Sequence, residues 1–200
     1  MLDSTRVILI GGSSHAGKST LAEAVAGRLG WAWRSTDKLA RHPGRPWNHQ
    51  GEVKPHVAAH YAELSPEELI EDVLAHYRQN VLPQVAELIH VHATDDAAGP
   101  LVLEGSALWP AEVAELDLEG VKALWLTASD ELLTARIHAE SRYAEATPTG
   151  KYLTDKFLAR TLLYNRQMVA ACAQLDLPVC DVEAYPDAHQ LTEHCLSLLT

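Results

Sequence analysis

The sequence predicts an α/β fold, a mostly parallel sheet with helices on both faces, and two observations predict it. Short apolar runs alternate with longer segments of helical periodicity, and a glycine-rich turn joins the first run directly to the first helix. At 200 residues, with 47% of positions hydrophobic, the chain suits one sizeable core and is short for two, so residues 1–200 are read as a single domain. Ligands of such sheets lie outside the carboxyl ends of the strands, so functional residues are sought just after each run.

Arg6–Ile10 reads as a buried strand, and Lys18–Leu29 as the helix that follows the turn. Trp31–Ser35 is the second strand. After it comes a long helical insert, residues about 37–95, in which Ser65-Pro66-Glu67-Glu68 carries an N-cap serine, a first-turn proline and a capping-box glutamate. Leu69, Ile70, Val73, Leu74 and Tyr77 recur at helical spacing as core positions, and Pro83 is expected to kink or divide the segment before Val85–His92. Thr94–Gly99 is a short acidic loop. Pro100–Leu103, Val121–Leu126 and Pro178–Val182 supply three more strands. Ser129–Glu140 is helical, and Pro148-Thr149-Gly150 is expected to end that pattern.

The formal net charge of −11, with no lysine- or arginine-rich run to offset it, excludes nucleic acid as the main partner. Cys172, Cys180 and Cys195 have neither zinc-site nor CxxC spacing and are odd in number, which suits a reducing cytoplasm. No apolar run has the length of a signal-peptide core or a membrane span, so the expected protein is soluble, unprocessed and not membrane-bound.

Gly12-Ser13-Ser14-His15-Ala16-Gly17-Lys18-Ser19 matches G-x-x-x-x-G-K-[ST], in the strand–turn–helix context that the pattern requires. Backbone N–H groups of this loop, continuing to Thr20, are suited to wrap the phosphates of ATP. Lys18 would neutralise the β- and γ-phosphates, and the Ser19 hydroxyl would ligate Mg²⁺. The acidic partner such a site needs is Glu104 in Leu101-Val102-Leu103-Glu104-Gly105, placed either to act through the metal or to accept a proton from the attacking hydroxyl. Asp37, closing Ser35-Thr36-Asp37, is the preferred general base or hydroxyl-positioning group; the competing role is an Asx-type cap. Residues about 136–152 look like a lid, in which Arg142, and secondarily Arg136, would fold over the phosphates. Arg160 and Arg166 fit surface ion pairs equally well.

These residues resemble the P-loop small-molecule kinases, the nucleoside-monophosphate and shikimate-kinase-like class, over nearly the whole chain. Ile10-Gly11-Gly12-Ser13-Ser14, Ser35-Thr36-Asp37 and Leu103-Glu104-Gly105 with Leu108-Trp109-Pro110 look most like proteins labelled 2-phosphoglycerate kinases. The resemblance implies a three-layer α/β/α P-loop NTPase fold with a five-stranded parallel sheet, a helical lid after the fourth strand, and Asp181, Val182, Glu183 and Ala184 near adenine. It implies ATP and Mg²⁺ as cofactors and a kinase acting on a hydroxyl of a small metabolite. His15 and Ala16 stand where many relatives carry glycine, which bears on loop shape.

The segment from Lys38 to His49 concentrates cationic and aromatic groups, and Lys38, Arg41 or Arg45 would hold an anionic acceptor. The bland alternative is an exposed, proline-bent loop. Trp31, Trp33, Trp47 and Trp109 would instead line a bulkier pocket in an antibiotic-modifying or toxin-type phosphotransferase. A nucleotide-driven ATPase or switch is the other alternative. His56 and His60 share a helical face without a convergent third ligand, so the histidines are not read as a zinc site. A monomer or homodimer is expected.

Overall fold

The computed structural model describes residues 4–40, 42–48, 53–116 and 119–199. Five parallel strands form one sheet: β1 (Val7–Gly12), β2 (Ala32–Ser35), β3 (Leu101–Glu104), β4 (Val121–Thr127) and β5 (Val179–Asp181), in the order β2-β3-β1-β4-β5. All five fall within a residue or two of the runs that predict them.

β1 is buried on both faces, and its alternating side chains feed two cores. Val7 and Leu9, with Leu101, Leu103 and Trp125, face α4 (Leu82–Thr94) and the long α7 (Pro148–Gln174). Ile8 and Ile10, with Val102, Leu124 and Leu126, face α1 (Lys18–Leu29) and α8 (Ala188–Leu198). A third cluster joins the insert to the segment after β4. It unites Val57 and Tyr61 of α2 (Pro55–Glu63), Leu69 of α3 (Pro66–His76), Ile137 of α6 (Asp130–Ser141), and Leu153 and Phe157 of α7.

The helix starts follow local chemistry. α1 begins after Gly17 in a left-handed conformation (φ 101°) and ends at Gly30 (φ 70°). α3 carries the complete Ser65–Glu68 capping box. Pro83 sits in the first turn of α4, after a π-helical turn over Tyr77–Val81, so it starts a helix there.

One sequence expectation needs correction. Pro148-Thr149-Gly150 does not end a helix but opens the longest one: proline lacks only an N–H that a first turn leaves free, and Thr147 Oγ1 caps Gly150 N at 3.1 Å. The break lies earlier, where Arg142 turns left-handed (φ 50°). β2 is largely exposed at the sheet edge, with Trp33 37% accessible. No described helix is long and apolar enough to cross a membrane.

Gly11 marks the tightest packing in β1. A Cβ there would overlap the Trp125 indole, whose Nε1 donates to Leu108 O, just ahead of the short α5 (Pro110–Ala114), at 2.8 Å. Gly11→Ala is expected to lower unfolding free energy by roughly 1–3 kcal/mol in urea titration. Unchanged stability would show that the indole can yield.

Candidate functional site

The loop after β1 is held from three sides. Ser13 Oγ donates to Asn165 Oδ1 (3.3 Å), which also accepts from Thr127 Oγ1 (3.2 Å), while Asn165 Nδ2 donates to Ala128 O (3.1 Å). One buried amide from α7 thus ties the loop to the end of β4. Arg136 of α6 donates to His15 O at 2.8 Å. His15 takes the left-handed conformation (φ 66°) open to glycine, so the loop keeps its course without one. Its ring is fixed by Ser14 Oγ at 3.0 Å and Glu140 at 2.8 Å and packs against Trp47 and Phe157. Burial, and then the neighbouring Arg45, push its pKa below the ordinary histidine value.

Lys18 is 8% exposed and donates Nζ to Ser13 O at 2.8 Å. Burial pushes its pKa down, against the carboxylates of Glu104 and Asp37, which raise it. Ser19 Oγ donates to Glu104 Oε1 at 3.0 Å, and Glu104 is 2% exposed. A buried carboxylate beside a hydroxyl is an oxygen donor pair suited to Mg²⁺. The first backbone bond of α1 runs from Leu21 N to Gly17 O, which leaves the N–H groups of Lys18, Ser19 and Thr20 without intrahelical partners. These fit phosphate oxygens.

The loop opens onto a cavity of about 770 Å³. Ser14 to Thr20, Asp37, Glu104 and Arg136 line it, as do Val182, Tyr185, Asp187 and residues of α1 and α8, which leave a cleft with room for a nucleotide base. A second cavity of about 190 Å³ adjoins it, lined by His42, Gly44, His76, Tyr77, Phe157 and Arg160 among others. Ser14, Asp37, Arg45 and Ser106 belong to both walls. Asp37 is exposed, and its turn is capped by Ser35 Oγ, which accepts from Asp37 N at 3.3 Å; the Asp37 carboxylate is therefore not the cap. Gly105 brings Thr36 against the end of β3, because any Cβ there would overlap the Thr36 hydroxyl.

Other predicted residues lie elsewhere. Arg142 lines a separate cavity of about 580 Å³ beside Trp47 and Thr147, because its left-handed backbone turns away from the loop; Arg136 is the arginine that reaches it. Glu183 does not line the larger cavity: its carboxylate accepts from Ser129 N at 2.6 Å, which lowers its pKa. Lys38 is exposed and lines neither the 770 nor the 190 Å³ cavity, and Arg41 lies outside the described residues. Arg45 is ion-paired to Glu140. Arg166 pairs with Asp130, whereas Arg160 lies over the Phe157 ring, 4.6 Å from its centroid, with Tyr61 OH 3.5 Å from Nη1. Of the four candidate tryptophans only Trp47 borders a described cavity; Trp109 packs on Tyr164 in the core. Sequence reasoning missed Asn165, Glu140 and Ser106, which lie in no motif.

No protein-family profile and no curated protein matches the chain. Solved structures do. It is similar to a sugar kinase from Janibacter sp. HTCC2649 (20% identity, 96% of this chain and 93% of that one, TM-score 0.56). It is similar to a gluconokinase from Sinorhizobium meliloti 1021 (18%, 96% and 90%, TM-score 0.52) and to shikimate kinase from Bacteroides thetaiotaomicron (17%, 96% and 97%, TM-score 0.51). The fold is thus that of the P-loop kinases, and these likenesses do not support the finer resemblance to 2-phosphoglycerate kinases.

Asn165→Ala would strip partners from Ser13, Thr127 and Ala128 at once. Each such buried group costs roughly 1–3 kcal/mol, so the thermal midpoint is expected to fall and nucleotide binding to weaken; a wild-type midpoint in calorimetry would show that water replaces the amide.

Proposed function

We propose that this chain is an ATP-dependent kinase that transfers the γ-phosphoryl group to a hydroxyl of a small anionic metabolite. The observation that carries the reading is the shared wall of the two cavities, where Asp37 borders both the space beside the loop after β1 and a smaller, acceptor-sized cleft. An acceptor in the smaller cavity would present its hydroxyl to Asp37, which orients it and takes its proton as the oxygen–phosphorus bond forms. Lys18 and the loop N–H groups hold the phosphates, and Arg136 is poised beside His15 to meet charge developing on the transferring group. Ser19 and Glu104 would hold Mg²⁺, which supplies charge neutralisation between the β- and γ-phosphates when bound.

Arg160 supports the anionic character of the acceptor. Arg160 lines the smaller cavity, its buried Nε lacks a hydrogen-bond partner, and its contacts are an aromatic face and a hydroxyl. A carboxylate or phosphate on the acceptor would satisfy it. Sugar acids, cyclic hydroxy acids and phosphoglycerates are therefore the first candidates, handled by a monomer or homodimer without nucleic acid or membrane. The dispersed tryptophans disfavour a bulky aromatic pocket.

Mass spectrometry after incubation with Mg-ATP and a panel of such acids should show one phosphoryl group gained on a particular acceptor. Undiminished ADP release with no acceptor present would instead favour a nucleotide-driven switch. Lys18→Ala should abolish turnover, and Asp37→Asn should keep nucleotide binding while lowering kcat by about 10²-fold or more; full transfer in the second variant would remove Asp37 from the mechanism. Arg160→Gln should raise KM for the acceptor about tenfold or more and leave KM for ATP near wild type, and equal effects on both would contradict the acceptor-anchor role.

A further inference from the structure

Three residues with metal-ligand chemistry converge beside the smaller cavity from three separate elements. His42 lies in the loop after β2, His60 in the last turn of α2 and Asp72 within α3. His42 Nε2 is 3.2 Å from Asp72 Oδ2, and His60 Nε2 is 3.9 Å from the same oxygen. One ligand atom from each residue lies within 4.8 Å of the other two. Both imidazole side chains are only 13% exposed, and the carboxylate is 51% exposed, which gives an ion a route from solvent.

The cluster is not explained as ordinary packing. His60 Nε2 is buried without a hydrogen-bond partner, and it lies 3.9 Å from the Asp72 carboxylate oxygen, beyond bonding distance. A cation between the three atoms would satisfy all of them. His76, whose ring centroid is 5.0 Å from that of His42, has Nδ1 engaged by Asn80 and a buried Nε2 without a partner, but its ligand atoms do not converge with the other three. A cation that must be tolerated is Arg160 of α7, which lines the same cavity as His42, and the Asp72 charge works against that repulsion.

We propose that His42, His60 and Asp72 form a binding site for one Zn²⁺ ion. Two imidazoles and a carboxylate are a borderline donor set that suits zinc, with a fourth position left for water, and they discriminate against Mg²⁺, which takes oxygen ligands. The ion joins the loop that lines the smaller cavity to α2 and α3, so it stiffens the acceptor side of the molecule and plays no part at the phosphates. The site stands on these side chains alone and does not depend on which acceptor is phosphorylated.

The test uses untagged, full-length protein stripped with chelator and free of nucleotide. Zn²⁺ titrated calorimetrically should bind with a stoichiometry of about one, and Co²⁺ as a probe should give the intense visible absorption of a tetrahedral nitrogen–oxygen site. His60→Ala and Asp72→Asn should each weaken binding more than about tenfold, while His56→Ala, on the same helix, should leave it unchanged. Circular dichroism of the metal-free variants shows whether each is folded, and the half-exposed Asp72 keeps the test valid if His60→Ala is not. Absence of saturable uptake, or affinity that survives Asp72→Asn or a folded His60→Ala undiminished, would overturn the proposal.

Discussion

A carboxylate at the end of β3 that water barely reaches constrains the whole of the candidate site. Glu104 is 2% exposed, and a buried charge persists only where donors and a counter-charge are supplied. The sheet supplies both by register. Ile10 and Ser35 pair with Glu104 from either side, so β2 and β3 stop at one level and β1 runs two residues past it. From that level β1 runs into the loop that returns Lys18 and Ser19, and β2 runs into the turn that carries Asp37. Gly105 completes the arrangement by letting Thr36 lie against the chain without a side chain between them. The chemistry of the site is thus a property of strand alignment before it is a property of any one residue.

Beyond the sheet, the helices hold the loop from outside. Asn165 anchors its first residues from α7, and Arg136 reaches its middle from α6. The insert and the segment after β4 share their own apolar cluster, so the two walls of the smaller cavity pack on each other as well as on the sheet. That explains how a loop containing His15 at positive φ is retained: the ring is bonded at both nitrogens and flanked by Trp47 and Phe157.

Much of this was legible in the sequence because it is local. Strand runs, the glycine-rich turn, the Ser65 capping box and the bounds of α1 depend on neighbours a few residues away, and sequence reading places them well. Asp37 and Glu104 were found by their position after apolar runs. What escaped was long-range or ambiguous. Pro148 serves a helix start as readily as a helix end, and only tertiary packing decides which. Arg142 and Arg136 are six residues apart on similar chemistry, and the left-handed turn that separates them has no glycine to announce it. Asn165 bonds to Ser13 across 152 residues, and His42, His60 and Asp72 meet only because a loop and two helices fold together. No periodicity records such meetings.

Glu140 divides its two carboxylate oxygens between Arg45, on the wall shared by both cavities, and His15, in the loop after β1. A single side chain on α6 therefore couples the place where an acceptor would bind to the place where a nucleotide would. An anion that drew Arg45 toward itself would free Glu140 and change the setting of the loop and of α6. By linkage the effect is mutual: the factor by which one ligand alters affinity for the second equals the factor by which the second alters affinity for the first. Two ligands bound on either side of Glu140 would be joined thermodynamically through that one carboxylate.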